Sequence, residues 1–389
     1  MKYLLLGAGL QGTAIAHDLL RTAEGTTRLV AFDGNAQALA SLKDRLADER
    51  LDTLEGDVRD ADVMAPLMKD ADVVISAVNY WYNADLADLA SRHQAHFLDL
   101  GGNNDIVARE FALDSQAKEN GVSIIPDCGL APGLAGILGY HLFEKLARPE
   151  SIRLRVGGLP AQPRPPMNYK IVFAVQGLIN EYIEPAVVIR DGKLQTVPGL
   201  SELEHLTFPE PFGELEAFQT SGGTSTLPQT LLGKVPHLDY KTIRYKGHCN
   251  QVRLLHELGL TDSRPRTFDG GQVSPREMLA ACMAEKLDLP GPDVVLLLAE
   301  AEGWDENDQA VRHTIRIIDH HDSAHDISAM MRMTGYPAAI IARMLAAGTI
   351  TETGAHCQEL VISGQIMLDE LARRGVQIEQ TTSQPGEPA

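Results

Sequence analysis

The stretch Gly7-Ala8-Gly9-Leu10-Gln11-Gly12 follows a short apolar run at residues 3–6 and precedes a helix-compatible run at residues 13–20. It fits the G-x-G-x-x-G pattern, in which a buried strand turns into a helix that binds a dinucleotide. In that pattern Gly7 permits the tight turn, Gly9 lets the pyrophosphate approach the backbone, and Gly12 allows the helix to pack closely on the strand. Because free N–H groups at the start of a helix attract phosphates, we expect the whole loop, including Leu10 and Gln11, to bind the cofactor.

Asp33 ends the second apolar run, 21 residues after Gly12. A carboxylate at this spacing bonds the ribose hydroxyls of NAD and repels the 2′-phosphate of NADP. The motif therefore favours NAD, although Lys43 or Arg45 nearby could compensate the negative charge. The alternative is a Rossmann-like domain that has lost its cofactor.

Further cofactor contacts are expected where the later strands end. Asp57 and Val58 follow the third apolar run and should border the adenine. Val78, Asn79 and Gly101 follow the fourth and fifth runs and should line the crevice at the carboxyl edge of the sheet. For Asp57 a helix N-cap is an equally good interpretation.

Short apolar runs alternate with helical patterns over the first third of the chain. The runs lie at residues 3–6, 28–32, 51–54, 73–78, 96–100 and 122–125. Strands that are apolar on both faces and separated by helices predict a Rossmann-type, doubly wound parallel sheet of the α/β class. We expect a dinucleotide-binding domain over residues 1–130.

A mixed pattern begins after residue 130 and predicts a second, α+β domain over residues 131–325. Residues 294–302 and 310–319 flank a polar stretch and predict a long hairpin. Residues 380–389 are polar and contain Pro and Gly, so they are predicted to form a flexible tail. Further strand-like segments lie at residues 152–156, 171–175, 186–190 and 242–245.

The composition excludes several classes of function. The 389 residues carry 34 basic and 53 acidic side chains, a formal charge of −19. A chain this acidic is repelled by nucleic-acid phosphates and by anionic membranes, so neither is an expected partner. The four cysteines are far apart and form no C-x-x-C pair, which is typical of a reducing compartment, and no apolar run is long enough to span a membrane. We expect a cytoplasmic protein with a small-molecule substrate.

Four further segments carry a family resemblance beside the glycine loop. They are Asp127-Cys128-Gly129-Leu130-Ala131-Pro132-Gly133, Val156-Gly157-Gly158-Leu159-Pro160, Tyr245-Lys246-Gly247-His248 and Thr334-Gly335-Tyr336-Pro337-Ala338-Ala339. With them the chain resembles the saccharopine dehydrogenase-like oxidoreductases over nearly its whole length. Within that family it is most similar to lysine 6-dehydrogenases.

The resemblance implies a discontinuous Rossmann domain that helices within residues 326–375 complete. It implies that residues 131–325 form a substrate and dimerisation domain, in a homodimer or a larger oligomer. It further implies NAD-dependent oxidation of the ε-amino group of L-lysine to allysine, which cyclises to piperideine-6-carboxylate. Two alternatives stay open: a saccharopine- or carboxynorspermidine-type reductase that joins an amine and an aldehyde, and an NAD-binding protein without catalysis.

Two residues are candidates for proton transfer. Oxidation of an amine requires its neutral form, so a base must remove a proton from an ammonium group with a pKa near 10.4. Asp127 follows the sixth strand and is the first candidate for this base, with a cap of the next helix as the alternative. His248 follows a strand and a glycine and is the second candidate, with a supporting role outside direct catalysis as the alternative.

Candidates for substrate binding lie on both predicted domains. Tyr80 and Tyr169 are predicted pocket walls, although simple packing explains a tyrosine equally well. Arg244 and the small-residue loop that begins at Thr220 are candidates for holding an amino-acid carboxylate. No metal is expected at Asp319-His320-His321-Asp322, because adjacent histidines on a strand point to opposite faces.

Overall fold

The computed structural model describes residues 1–21, 25–172 and 174–386. Strands β1 to β18 span Lys2–Leu6, Arg28–Asp33, Leu51–Glu55, Val73–Ser76, His96–Asp99, Ser123–Ile125, Arg148–Pro160, Ala186–Arg190, Lys193–Val197, Glu204–Phe208, Gly213–Gln219, His237–Tyr245, Arg266–Phe268, Gly271–Val273, Asp293–Trp304, Ala310–His320, Gly354–Ala355 and Gln377–Ser383. Helices α1 to α14 span Leu10–Arg21, Ala36–Leu46, Ala61–Lys69, Asn83–Arg92, Asn104–Phe111, Asp114–Asn120, Leu134–Phe143, Val175–Ile183, Leu227–Leu231, His248–Glu257, Pro275–Leu287, Ala329–Ala346, Gln358–Val361 and Gly364–Arg373.

The chain divides into two compact units. Unit 1 consists of Met1–His141, Thr224–Leu227 and Met331–Val376. Unit 2 consists of Leu142–Gly223, Pro228–Met330 and Gln377–Ala389. Each unit combines segments that are distant in sequence, and the short segment at residues 224–227 has no counterpart among the predicted domain boundaries.

Unit 1 is built on a parallel sheet of seven strands in the order β17-β6-β5-β4-β1-β2-β3. The interior of β1 is apolar and fully buried, as expected for a strand covered by helices on both faces. The strand order reverses between β1 and β4, which is where doubly wound sheets bind their ligands. The predicted doubly wound α/β fold is confirmed.

The C-terminal part of unit 1 packs against its first helix. A Cβ atom on Gly335 of α12 would lie 2.7 Å from the Cβ of Ala14, so only a glycine permits this approach to α1. Arg374 also binds Asp18 of α1 through two bonds, at 2.6 Å from Nε and 2.8 Å from Nη2. Both side chains of this ion pair are almost fully buried. The last helices therefore stabilise the start of the nucleotide-binding sheet.

Unit 2 is built on a mixed sheet of nine strands, with the path β10-β11-β12-β7-β15-β16-β18. The long central strand β7 pairs in parallel with β12 and antiparallel with β15. The predicted hairpin is confirmed, because β15 and β16 pair continuously from Val294 opposite His320 to Trp304 opposite Ala310. This sheet carries the side chains of a buried polar cluster on β12.

Two predictions of local structure are wrong. Residues 171, 172 and 174 of the predicted strand at 171–175 form no strand, while residue 173 lies outside the described residues. Helix α8 begins at Val175, and Ile171 and Val175 pack on an apolar cluster. A short apolar run does not distinguish a strand from a loop that enters a helix. The predicted tail at residues 380–389 is ordered up to Ser383 as part of β18, which pairs with β16, while residues 387–389 lie outside the described residues. The polar composition of β18 reflects a mostly exposed strand at the sheet edge.

No helix within the described residues is long and apolar enough to cross a membrane.

Candidate active site

The glycine loop has the geometry of a dinucleotide site. Gly7 has a φ of +104° and donates its N–H to the carbonyl oxygen of Phe32 at 2.8 Å. A Cβ on Gly12 would lie only 1.9 Å from the carbonyl oxygen of Gly7, so the helix start packs directly on the turn. In contrast, a Cβ on Gly9 would meet no atom within 4 Å, and Leu10 is exposed. The loop is closed toward the protein and open on the side where a pyrophosphate would approach, so these residues fit the cofactor.

Asp33 and Asp57 end up in different surroundings. The carboxylate of Asp33 accepts the N–H groups of Ala8 at 2.7 Å and of Asn35 at 2.8 Å, so it helps to hold the glycine loop. Asp57 forms an exposed ion pair with Arg59, whose hydrogen bonds lower the pKa of Asp57 to about 2. The alternative that Asp57 caps a helix is wrong, because Asp60 caps α3. Asp60 is simply nearer the first helical turn.

The predicted crevice residues lie where β4 and β5 end. Val78 approaches to 3.3 Å from the position of a Cβ on Gly7, which places it beside the glycine loop. Asn79 is exposed and precedes a 3-10 helix at Tyr80–Tyr82. Gly101 follows β5 with a φ of +78°. Val58 is half-buried and packs on the core of unit 1.

Asp127 lies at the same carboxyl edge, just after β6. It is 1% exposed, and its φ of +62° is in the left-handed region that residues other than glycine seldom adopt. The hydroxyl of Ser225, also in unit 1, donates to its carboxyl oxygen Oδ2. The alternative of a helix cap is wrong, since α7 begins only at Leu134. Burial and the charge of Asp99 raise the pKa of Asp127 to about 7, so this carboxyl can accept or release a proton near neutral pH.

Tyr80 is also part of unit 1. Its ring lies 2.9 Å from the position of a Cβ on Gly102, and the side chain is half-buried. A phenol at this place can form a wall beside the carboxyl ends of β4 and β5. Its predicted contact with substrate stays a prediction.

His248 belongs to a buried hydrogen-bond network in unit 2. Its Nε2 lies 2.9 Å from the hydroxyl of Tyr182, and its Nδ1 lies 3.1 Å from the carbonyl oxygen of Met167. A carbonyl only accepts, so Nδ1 carries the proton and Nε2 accepts from the Tyr182 hydroxyl. Burial and the nearby Arg244 lower the pKa of His248 to about 3. This neutral ring with both nitrogens bonded favours a positioning role over proton transfer.

Arg244 lies in the same cluster and is almost completely buried. Its Nε donates to the hydroxyl of Tyr182 at 3.0 Å, and its guanidinium lies 4.8 Å from the ring centre of Tyr169. The carboxyl of Glu181 interacts electrostatically with the Arg244 guanidinium, and burial raises the pKa of Glu181 to about 7. Thr220 bonds Thr242 on the same strand as Arg244, at 2.7 Å between the hydroxyl oxygens. The cluster combines a buried cation with aromatic walls, which suits a carboxylate ligand.

The histidine-rich segment forms local contacts, with Asp319 buried and His320 exposed. His320 stacks on Phe212, while His325 bonds Asp322 at 2.8 Å. Among the described residues, no group of three or more His, Cys, Asp or Glu side chains is arranged to hold a metal ion.

The sequence matches two family models that together span most of the chain. Residues 3–125 match the saccharopine dehydrogenase NADP binding domain, and residues 129–376 match the saccharopine dehydrogenase C-terminal domain. The chain belongs to the saccharopine dehydrogenase family. Its first domain is thus a pyridine-nucleotide-binding domain, in agreement with the geometry of the glycine loop.

Relatives of this saccharopine dehydrogenase family member include two fungal enzymes named saccharopine dehydrogenase [NADP(+), L-glutamate-forming]. The enzyme from Saccharomyces cerevisiae is 26% identical over 79% of this chain and 69% of its own length. The enzyme from Pyricularia oryzae is 24% identical over 54% of this chain and 48% of its own length. The chain thus aligns with about half of the Pyricularia protein.

Two solved structures share the fold. Apo saccharopine dehydrogenase (L-Glu forming) from Saccharomyces cerevisiae superposes with a TM-score of 0.80 at 19% identity, covering 98% of this chain and 99% of that chain. Homospermidine synthase from Legionella pneumophila in complex with NAD superposes with a TM-score of 0.69 at 11% identity, covering 98% of this chain and 91% of that chain. The family fold therefore extends over both units.

Three residues beside the candidate functional residues were not predicted from the sequence. Asp99 and Glu110 are buried beside Asp127, and Tyr182 links His248 to Arg244. Asp99 leaves a detectable signal, since it is a charged residue inside an apolar run that forms a buried strand. Glu110 and Tyr182 lie on ordinary amphipathic helices, so the sequence gives no signal that marks them as part of a site.

Proposed function

We propose that this chain is an NAD-dependent oxidoreductase that oxidatively deaminates the ε-amino group of L-lysine to allysine, which cyclises to piperideine-6-carboxylate. The observation that carries the proposal is Asp127, a buried carboxyl at the carboxyl edge of the nucleotide-binding sheet with a pKa of about 7. A base with this pKa is matched to proton transfer at neutral pH.

Asp127 takes the proton that keeps the amine unreactive. An ammonium group has no lone pair to expel a hydride, whereas the neutral amine does. When bound, NAD supplies the hydride acceptor. The oxidised substrate is an iminium, to which water adds, and Asp127 then returns its proton to the leaving nitrogen. Starting from the ammonium form of the substrate, NAD+ and water, the products are the aldehyde, an ammonium ion, NADH and one released proton.

The carboxylate of Asp33 supports NAD over NADP. It lies at the end of β2, bonded to the N–H groups of Ala8 and Asn35, where the ribose of a dinucleotide is expected. A 2′-phosphate there would meet a negative charge. The matching family model is described as NADP binding, and the Legionella structure contains NAD, so we propose the choice on the local charge alone.

Arg244 is proposed to hold the α-carboxylate of the substrate. Among the described residues no carboxylate lies within ion-pair distance of its guanidinium, although the side chain is buried. A buried cation is costly unless its charge is compensated; Glu181, whose pKa burial raises to about 7, supplies part of that compensation, and a ligand carboxylate would add to it. His248 acts indirectly, since it fixes the hydroxyl of Tyr182, which in turn holds Arg244.

The test is NADH formation from NAD+ with L-lysine, with L-ornithine, with saccharopine and without substrate, repeated with NADP+. We expect turnover with L-lysine and NAD+. Asp127→Asn should lower kcat/KM by about 10²- to 10⁴-fold, the range typical of a general base. NADH affinity should stay within a few-fold, because the hydrogen bonds of Asp127 within the described residues go to Asp99 and Ser225 and not to the glycine loop. Loss of NADH binding in the variant would instead indicate a structural role.

Saccharopine oxidation is the second candidate, favoured by the similarity to the Saccharomyces enzyme over 79% of this chain. Turnover with saccharopine but not with L-lysine would support it and exclude the first proposal. Reductive joining of an amine to an aldehyde, measured as NADH or NADPH consumption, tests the carboxynorspermidine type. Tight NADH binding with no turnover in any assay would indicate an NAD-binding protein without catalysis.

A further inference from the structure

Three buried carboxyl groups lie together at the carboxyl edge of the unit 1 sheet. Asp99 ends β5, Glu110 lies near the end of α5, and Asp127 follows β6. Asp99 and Glu110 are fully buried, and Asp127 is 1% exposed. Neighbouring carboxylates inside a protein cannot all be ionised, because their charges repel in a medium that screens weakly. At least one of them must carry a proton at neutral pH.

The hydrogen bonds indicate which carboxyl carries that proton. Oδ1 of Asp99 accepts the N–H of Gly101 at 2.6 Å and the N–H of Asp127 at 3.2 Å. Neither oxygen of Glu110, nor Oδ2 of Asp99, receives a bond from an N–H or a hydroxyl group in the part of the chain described. Two N–H donors favour the charged form of Asp99, and Glu110 has no such donor. The side chains of Asp99 and Glu110 interact directly, and Oδ2 is the oxygen of Asp99 that no donor of the described residues reaches, so a proton on Glu110 can satisfy it.

We propose that Glu110 is a positioning residue that keeps a proton at neutral pH and donates it to Oδ2 of Asp99. The charged Asp99 then holds the backbone of Asp127 in its left-handed conformation and faces the Asp127 carboxyl. This inference rests on the proposed function, in which Asp127 is the base. In this proposal Glu110 stays protonated throughout the reaction, and its hydrogen bond keeps Asp99 negatively charged.

The electrostatic surroundings agree with this assignment. Burial and the facing Asp99 raise the pKa of Glu110 to about 12. Burial also raises the pKa of Asp99, but its bonds to Glu110 and to the two N–H groups act in the opposite direction. The other groups that face the cluster are Arg109, which lowers the pKa of Glu110, Cys128, a buried thiol whose own pKa is raised, and Glu359, which raises the pKa of Asp127.

Three substitutions distinguish which carboxyl carries the proton. The measurement is the acid limb of kcat/KM plotted against pH, which reports the loss of a proton from Asp127. Glu110→Gln keeps a neutral donor, so its acid limb should coincide with that of the wild type. Asp99→Asn removes the charge, so its acid limb should move to lower pH by about one to three units. Glu110→Met removes the donor, Asp99 then takes up a proton itself, and the limb should move in the same direction.

An infrared measurement tests the same inference without activity. The wild type at pH 8 should show a protonated-carboxyl band that Glu110→Gln removes. A second band, from the Asp127 carboxyl, should titrate near pH 7 in the wild type and be missing in Asp127→Asn. In Asp99→Asn this band should titrate at lower pH.

The inference is overturned if the Glu110→Gln limb moves as the Asp99→Asn limb does, since Glu110 would then be the charged partner. It is equally overturned if the pH 8 band is missing, or if Asp127 titrates unchanged in Asp99→Asn. A wild type that oxidises no amine, but shows both bands behaving as expected, would remove the proposed function and leave the Glu110 assignment standing.

Discussion

The two residues predicted as candidates for proton transfer, Asp127 and His248, have opposite surroundings. Asp127 accepts one hydroxyl bond and faces the charge of Asp99, so burial makes it a base near neutral pH. His248 has both ring nitrogens bonded inside an apolar shell that includes Phe218, so burial keeps it neutral. The same physical cause, loss of water, therefore raises the pKa of one group and lowers that of the other.

His248 should make stability depend on pH in a specific direction. Its folded-state pKa of about 3 lies below the unfolded value of about 6.5, so the unfolded chain binds the extra proton in that interval. The free energy of unfolding should thus fall as the pH falls below about 6.5. Urea denaturation at pH 7, 6 and 5 should show the advantage of the wild type over His248→Gln shrinking slightly between pH 7 and 6 and more steeply below pH 6, toward about 1.4 kcal/mol per pH unit.

The control for that measurement is His205→Gln, since His205 is exposed. A constant difference between wild type and His248→Gln at all three pH values would contradict a buried neutral imidazole.

At the scale of elements, strand β12 shows how the end of a strand separates a buried side chain from a solvated one. Tyr240, Thr242 and Arg244 alternate along the strand and share one face, because side chains repeat every two residues. Lys246 lies just beyond the strand and forms an exposed ion pair with Glu214 at 2.9 Å. Arg244 is thus buried within the strand, whereas Lys246, two residues later, lies beyond the end of the strand and is solvated.

The strand–turn–helix at the start of the chain offers a matched pair of substitutions. In Gly12→Ala the new methyl would lie 1.9 Å from the carbonyl oxygen of Gly7, so we expect a destabilisation of about 1–3 kcal/mol from overpacking. In Gly9→Ala the methyl meets no protein atom, so stability should be unchanged. It projects toward the expected pyrophosphate, however, and NADH binding should weaken roughly tenfold or more, about 1.4 kcal/mol.

Thermal unfolding without cofactor and a fluorescence titration with NADH separate these two effects. Equal NADH affinity in Gly9→Ala and the wild type would show that the loop does not bind the pyrophosphate.

At the scale of the molecule, unit 1 is assembled from three separate segments of chain. Strand β17 extends the sheet beside β6, and the pair of Asp18 with Arg374 joins the first and last helices of the unit. Removing one partner of such a buried pair costs about 3–5 kcal/mol, since the other charge stays buried. The N-terminal segment alone is therefore an incomplete folding unit.

Deleting residues 331–389 should abolish NADH binding, because it removes β17, α12 and Arg374 together. Deleting residues 384–389 is the control and should leave NADH affinity unchanged, since β18 ends at Ser383. Size-exclusion chromatography and NADH fluorescence measure both outcomes. Wild-type affinity in the longer deletion would show that the first segment folds independently.

Local patterns in the sequence were sufficient for the sheet of unit 1 and for the glycine loop, because apolar runs and glycine spacing are properties of neighbouring residues. The position of Asp127 at a strand end was predictable for the same reason. Its partners were not, because Ser225 is 98 residues away and Glu110 lies on helix α5, separated from Asp127 by α6 and β6. Long-range contacts set the charge state of a site, and a single sequence does not reveal them.

The late joining of β17 to β6 has a consequence for biosynthesis. A ribosome adds about 5–20 residues per second, so roughly 12–50 s pass between the emergence of β6 and that of residue 376. During this interval the edge of β6 has no partner strand and exposes unpaired N–H and C=O groups, which other nascent chains can capture. Chaperone protection should therefore matter most while unit 2 is being translated.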